Sequence, residues 1–249
     1  MNRRKNRQHV FNLICTASMI LAVLCLLTPL PVFAGDKAQN ENQRVTESGK
    51  VLDALANSQS GIPTDLLNKS ECVIILPSVK KGGFILAGQY GKGLMTCRTG
   101  EKFDGPWSAP IMMQSSGGSI GFQAGGEAID YVILVLNDKG ARTVMNGKAK
   151  LGANASIAAG PVGRDAEAAT SGNMSTEMLS YSRTNGVFGG VSLSGTSLGP
   201  DNGANEDLYG KKVTGPRIWA GQVQAPATAK DLLALLDAKS PKNLSAGKQ

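Results

Sequence analysis

Few residues of this chain could carry acid–base or metal chemistry. The single histidine, His9, lies in the first 34 residues together with two of the four cysteines. This segment has a basic start, an almost continuous apolar run over 10–30 and a small-residue site ending at Ala34, which is the pattern of an export signal. Without it the chain has no histidine and two cysteines, which excludes most general-base catalysis and most metal sites.

A retained membrane anchor is the alternative for this segment. Polar residues interrupt the apolar run, and prolines at Pro29 and Pro31 end it, so it is marginal for the about 20 residues that a span needs. Attachment of a lipid is disfavoured because Leu24, not a small residue, precedes Cys25. We therefore expect an exported protein, periplasmic or peripheral at the cell envelope.

Removal of the segment also changes the charge. Four of the 26 basic residues lie in it, so the net charge falls from +7 to about +3. A charge this small does not indicate nucleic acid as a partner. It allows a local basic patch that meets an anionic membrane surface.

Serine and carboxylate chemistry is poorly supported. Ser78 and Lys81 have the S-x-x-K spacing of serine β-lactamases, but the companion motifs are missing. The stretch follows Pro77 and precedes two glycines, which favours a turn rather than the helix start that the enzymes use. Strand alternation places Glu127 and Asp130 on opposite faces. We predict no enzymatic activity and no cofactor.

Two loops invite a ligand-binding interpretation. The glycine pairs after residues 81, 116 and 124 lie between predicted strands and match no phosphate-binding motif, so hairpin geometry is favoured. The segment Asp201–Asp207 is rich in oxygen donors but lacks the EF-hand spacing. It is expected to be an acidic surface turn, and no metal site is predicted.

Cys72 and Cys97 lie in an oxidising compartment if the protein is exported. A disulfide between them would stabilise the fold by about 3 kcal/mol through loop closure. Two buried free thiols are the alternative.

The remaining candidates are basic residues. Lys80-Lys81 and Lys211-Lys212 are doublets next to predicted turns, and Arg217 lies near the second doublet. Each doublet could be an ordinary solvated turn. If the fold brings them together, they would form a small site for an anionic lipid headgroup.

Hydrophobic periodicity predicts four helices. A polar leader over 35–44, expected to be flexible, precedes a helix over 45–58 with an apolar face. A short helix follows over 64–68, another over 138–146, and the last covers 226–239.

Between the helices, the glycine-rich chain predicts short strands bounded by turns. They cover 72–76, 83–89, 93–98, 107–114, 119–124, 128–136, 153–159, 166–170, 177–183, 187–193 and 211–215. The predicted fold is one α+β domain over 45–240, an antiparallel, barrel-like sheet with N-terminal and C-terminal helices, followed by a flexible tail over 241–249.

Several motifs occur in the order typical of the SYLF domain, which this chain resembles over about 45–215. They are Ile75-Leu-Pro-Ser-Val-Lys-Lys-Gly-Gly-Phe84, Gly88-Gln-Tyr-Gly-Lys-Gly93, Trp107-Ser-Ala-Pro110, Gly118-Ser-Ile-Gly-Phe-Gln123, Gly160-Pro-Val-Gly-Arg164, Ser180-Tyr-Ser-Arg183, Gly186–Leu193 and Asn205–Gly210.

The resemblance implies lipid binding. Eukaryotic members are similar to phosphoinositide-binding modules at membranes, some linked to actin, in which an amphipathic N-terminal segment and basic residues contact the membrane. The matching positions here are the 45–58 helix and Lys80-Lys81. Because this chain carries an export signal, we expect anionic phospholipid of a cell envelope rather than phosphoinositide or actin.

The sequence therefore predicts a non-enzymatic lipid-binding protein whose lipid site uses Lys80, Lys81, Lys211, Lys212 and Arg217. The alternative is a structural or interaction protein of the envelope that binds a protein partner.

Overall fold

The computed structural model describes residues 34–58, 61–83, 86–120, 125–147, 149–162 and 176–245. The predicted export signal, apart from Ala34, and the predicted strand over 166–170 lie outside these residues. The chain divides into two compact units, residues 1–36 and 37–249, and the architecture below is that of the second.

In the described part of the chain, nine strands form a sheet. Eight of them follow the order β5-β9-β3-β2-β1-β4-β7-β6, and the ninth, β8, pairs with the second half of β7. Among the strands of the described residues, β6 and β7 are the one pair that runs parallel. The sheet curls into a half-barrel with helices near both chain ends, which confirms the predicted fold class. The strands are β1 Cys72–Gly83, β2 Leu86–Cys97, β3 Ile111–Ile120, β4 Gly125–Val135, β5 Ala149–Lys150, β6 Ile157–Ala159, β7 Met178–Thr184, β8 Val187–Gly190 and β9 Thr196–Pro200.

The helices cover both faces of this sheet. They are α1 Ala34–Ala56, α2 Thr64–Asn68, α3 Asp138–Met145, α4 Asn202–Tyr209, α5 Gly215–Trp219 and α6 Lys230–Lys239, the last preceded by a 3-10 turn at Ala227–Ala229. Side chains from α3 and α5 join one apolar cluster. Those from α1, α2, α4 and α6 join the other.

The first half of β1 explains why its sequence is continuously apolar. Cys72 and Ile74 face the cluster of α3 and α5, whereas Val73 and Ile75 face the cluster of α1 and α6. All four side chains are fully buried. A strand that is covered on both faces needs apolar residues at every position, not at alternate positions.

The predicted end of β1 at Pro77 is wrong, because the strand continues to Gly83 through a β-bulge. Its register with β4 shifts between Leu76 and Val79. Ser78 takes a left-handed φ of 51° there, and its amide donates to Asp130 Oδ1 over 2.9 Å. The S-x-x-K stretch is therefore part of a bulged strand, neither a turn nor a helix start.

The turn expected within Tyr90–Lys92 is also absent, since β2 runs unbroken from Leu86 to Cys97. Two glycines of β2 are explained by close contacts with β1 and not by a turn. A Cβ on Gly91 would lie 2.5 Å from Val79 Cγ2, and one on Gly93 would lie 1.9 Å from the Ile75 carbonyl oxygen. These glycines let β2 lie close to the bulge in β1.

Three other predictions need correction. The polar leader over 35–44 is the start of α1, where Asn42 donates to the Ala38 carbonyl and accepts from Thr228 of the distant C-terminal region. Residues 211–215 form no strand. The predicted acidic turn Asp201–Asp207 is largely α4, with Asp201 as its N-cap accepting from the Ala204 amide over 3.0 Å.

Candidate functional site

Lys80 lies beyond the bulge, on the sheet face that α1 covers elsewhere. It is opposite Ala128 of β4 and Tyr90 of β2, and Tyr90 is opposite Ser116 of β3. These four residues, the lysine row, therefore cross four strands on one face. Lys80 is exposed, and 49% of Tyr90 is exposed although the residue is large and mostly apolar.

The next row outward on the same face consists entirely of glycine. Gly126, Gly82, Gly88 and Gly118 are consecutive register partners across β4, β1, β2 and β3. We call this row the glycine ladder. Because β1 and β2 have a strand on each side, their peptide groups point at neighbouring strands and not at the solvent above the face.

Lys81 does not join Lys80. Successive strand residues point to opposite faces, so Lys81 shares the other face with its register partners Gln89 and Glu127. Gln89 donates to the Thr196 hydroxyl over 2.5 Å, and Glu127 is exposed. The predicted doublet is thus split between the two faces, with an acidic residue opposite Lys81.

The second doublet and Arg217 lie at a different place. Lys211 and Lys212 are exposed and follow α4, which is tied to the start of β3: Tyr209 donates to the Pro110 carbonyl over 2.6 Å. The lysine row crosses β3 at Ser116, about 20 Å further along the strand at 3.3 Å per residue. The structure therefore does not gather the two doublets into one cluster.

An ion pair beside the lysine row was missed in the sequence. Arg183 of β7 contacts Asp130 Oδ2 of β4 over 2.6 Å, and Asp130 also holds the amide of Ser78. These contacts fix the bulge that turns Lys80 outward. Arg183 belongs to the Ser180–Arg183 motif, but Asp130 is 53 residues away in the sequence, so no local pattern predicts that the two residues pair.

In β2, two residues from Tyr90 and likewise on the side away from the glycine ladder, Lys92 forms a 2.6 Å ion pair with Asp201. The hydrogen bond to Asp201 raises the pKa of Lys92 in spite of its partial burial. Burial opposes ionisation of Asp201, but its bonds with Lys92 and the Ala204 amide outweigh this and lower its pKa. The positive charge of Lys92 is therefore already balanced by the carboxylate of Asp201.

Lys92 also borders a polar cleft of about 540 Å³ against the first turns of α1. Lysine, arginine and carboxylate side chains alternate in its lining, which consists of Lys37, Asn40, Glu41, Gln43, Arg44, Glu47, Lys92 and Asp207. Because the opposite charges balance, the cleft is a poor anion site.

At the opposite end of the sheet, Cys72 and Cys97 are register partners and form a disulfide with an S–S distance of 2.09 Å. No cluster of potential metal ligands occurs among the described residues. Within the same residues, none of the helices combines the length and apolar character that a bilayer crossing requires.

Comparison with known proteins identifies the family of this chain. A family model described as "Ysc84: Las17-binding protein actin regulator" matches residues 116–239, which include the second half of β3, the strands β4 to β9 and the helices α3 to α6. The chain belongs to the Ysc84/SYLF family. The family description speaks of binding and regulation and names no reaction.

Relatives support the assignment over more of the chain. An SH3 domain-containing protein of Schizosaccharomyces pombe is 38% identical over 203 residues, 78% of this chain and 46% of that protein. Protein YSC84 of Saccharomyces cerevisiae is 34% identical over 182 residues, 72% of this chain and 38% of that protein. The human SH3 domain-containing YSC84-like protein 1 is 32% identical over 189 residues, 76% of this chain and 54% of that protein.

The chain thus spans about half or less of the length of these relatives. No solved structure matches it.

Proposed function

We propose that this protein is a non-enzymatic membrane-surface protein that contacts anionic phospholipid through the lysine row, at the cell envelope to which its N-terminal segment would direct it. The observation that supports this most is the pairing of Lys80 with Tyr90. Both are exposed register partners on a part of the sheet face that the helices leave open.

The chemistry of this pair suits a lipid headgroup layer. A lysine near an anionic membrane gains about 1 kcal/mol from the surface potential. Tyrosine favours the boundary between headgroups and acyl chains because its ring is apolar and its hydroxyl is polar. Within the described residues Lys80 forms no ion pair, so its ammonium can meet a phosphate without first breaking an internal contact.

Co-sedimentation of the purified protein with vesicles tests this proposal. We expect pelleting with phosphatidylglycerol vesicles, little with phosphatidylcholine vesicles, and weaker binding at high salt. Lys80→Glu changes the local charge by two and is expected to lower affinity by about tenfold or more. Lys102→Glu, an equal charge change at an exposed residue of the turn that follows Cys97 at the opposite end of the sheet, is the matched control. Equal affinity of the Lys80→Glu variant and the wild type would contradict the assignment.

The second lysine doublet can be tested in the same assay. Because Lys211 and Lys212 lie far from the lysine row, their replacement by Glu is expected to weaken binding independently of Lys80→Glu if they also touch the membrane. Additive losses would support a contact surface with two basic points, whereas no loss would leave Lys80 as the main cationic contact.

A protein partner is the second candidate, supported by the description of the family as Las17-binding and actin-regulating. It predicts co-sedimentation with actin filaments, or retention by purified Las17, together with no response to anionic vesicles. Retention by filaments that persists in Lys80→Glu, with vesicles left in the supernatant, would favour this candidate over lipid.

A further inference from the structure

We infer that the glycine ladder is itself a contact surface, on which the phosphate-bearing headgroup layer of an anionic membrane lies directly against the peptide backbone beside Lys80. This inference rests on the proposed function and deepens it by naming the floor of the site. Three observations support it: the register and exposure of the ladder, the absence of a packing reason for glycine at position 88, and the positive charge of Lys80 in the lysine row.

The ladder is open to solvent at three of its four positions. Gly82, Gly88 and Gly118 are exposed members of adjacent strands. With strands about 4.8 Å apart, four consecutive glycines leave a strip about 14 Å long without side chains. An exposed sheet face of that length normally carries polar side chains, so the strip is a distinct surface feature.

Neither packing nor backbone conformation explains the glycine at position 88. A Cβ built on Gly88 meets no atom within 4 Å, and its φ lies outside the left-handed region. In the same strand, Gly91 and Gly93 each face an atom closer than 3.0 Å. Glycine within a strand weakens it and frequently marks the close approach of a ligand or another backbone. Gly88 therefore lacks the internal cause that its neighbours have.

A ligand that lies on the glycine ladder would contact the side chains of the lysine row, which project from the sheet at one edge of the ladder. Along each strand the row lies two residues, about 7 Å, from the ladder. Among its members Ala128, Lys80, Tyr90 and Ser116, only Lys80 is charged. Asp130, the carboxylate two residues along β4 from Ala128, is bound to Arg183 and to the Ser78 amide. The lysine row therefore selects an anion next to a flat surface, as a phospholipid headgroup layer provides.

The strip also avoids the usual cost of bringing backbone near a membrane. Unpaired N–H and C=O groups are costly in an apolar environment. Gly82 and Gly88 lie in the central strands β1 and β2, each paired on both sides. Their peptide groups are satisfied within the sheet, so lipid can approach them without leaving a hydrogen bond unmade.

The decisive variant is Gly88→Val, which places a branched side chain on the floor without changing charge. Because the space is empty and valine favours strands, the variant is expected to fold with an undiminished thermal midpoint but to lose binding to phosphatidylglycerol vesicles to an extent comparable with Lys80→Glu. Gly189→Val in β8, where a Cβ also meets nothing within 4 Å, is the matched control and should bind as the wild type does. Gly88→Ala serves as a smaller obstruction if valine disturbs folding.

The outcomes separate the two levels of the proposal. Wild-type affinity in both Gly88 variants, with binding lost in Lys80→Glu, would overturn the role of the ladder and leave the lysine row intact. Failure of the wild-type protein to bind anionic vesicles would remove the proposed function and the ladder with it. Displacement from vesicles by millimolar glycerol phosphate would overturn the membrane as occupant in favour of a free phosphate ligand, whereas persistence of binding supports the membrane surface.

Discussion

At one end of the central strands β1, β2 and β4, a disulfide and fully buried side chains fill the space on both faces. At the other end, the same strands carry the glycine ladder and the lysine row. We call these the disulfide end and the glycine end. Antiparallel pairing continues from one end to the other, so main-chain hydrogen bonding does not distinguish them.

The difference lies in the side chains and in the bulge at Ser78 that separates the two ends. Burial of apolar side chains contributes most of the stability of a fold, which places that contribution at the disulfide end. The glycine end adds little burial and retains an open face. One continuous set of strands therefore combines a stabilising region with a region suited to contact.

The largest effect should come from a glycine near the disulfide end. Gly93→Ala places a Cβ 1.9 Å from the Ile75 carbonyl oxygen, a backbone atom that cannot move alone. We expect a loss of about 3 kcal/mol or more in the free energy of unfolding, measured with urea. Gly88→Ala in the same strand is the control and should be neutral or slightly stabilising. Similar losses in both variants would mean that the two ends do not differ as described.

Removal of the disulfide should have the next largest effect. The bond closes a loop between residues 25 positions apart, and its loss in the double variant Cys72→Ala and Cys97→Ala should cost about 3 kcal/mol. Vesicle binding at 25 °C should be unchanged, because the glycine end does not include this bond. A parallel loss of binding in protein that is still folded would show that the ends are coupled.

A smaller effect is expected at Asp201, between the two ends. Asp201→Ala removes the N-cap of α4 and the partner of Lys92, with an expected loss of about 1 kcal/mol. Asp201→Asn keeps an N-cap acceptor but removes the charge, so comparison of the two variants separates the cap from the ion pair.

The pH dependence of this difference has a defined sign. The folded state lowers the pKa of Asp201, so the charge contributes to stability above the ordinary pKa of about 3.9 and the contribution disappears as pH falls through the folded value. The raised pKa of Lys92 means that its contribution is present below about pH 10.4 and is lost as pH rises through the folded value. Urea unfolding of the wild type and of Asp201→Asn at pH 7, 3 and 11 gives the difference in their free energies of unfolding at each pH. If the wild type is still the more stable protein in strong acid, the ion pair is not the cause of the difference.

Local patterns predicted many elements well. The helix over 64–68 has the predicted bounds, and α3, β4 and β7 lie within two or three residues of theirs. Each has an apolar periodicity and end signals contained in its own segment. The family and the α+β class followed from motifs and from the number of such segments.

Features that depend on distant partners could not be predicted. Pro77 and the following glycines resemble a turn, but Asp130, 52 residues from Ser78, supports a bulge there. The polar start of α1 is held in part by Thr228, 186 residues from Asn42. Lys80 was identified as a candidate from its charge. Its partner Tyr90, the separation from Lys81 and the glycine ladder required the strand register.

The distribution of strand lengths has a consequence for association between copies of the chain. The central strands β1 to β4 have 10 to 12 residues, whereas β5, β6 and β8, at the margins of the described sheet, have two, three and four. Long, flat edge strands are templates for edge-to-edge aggregation, and short ones are a natural protection against it. In the described sheet, the longest runs of main-chain donors and acceptors are kept in the interior, where another chain cannot add to them.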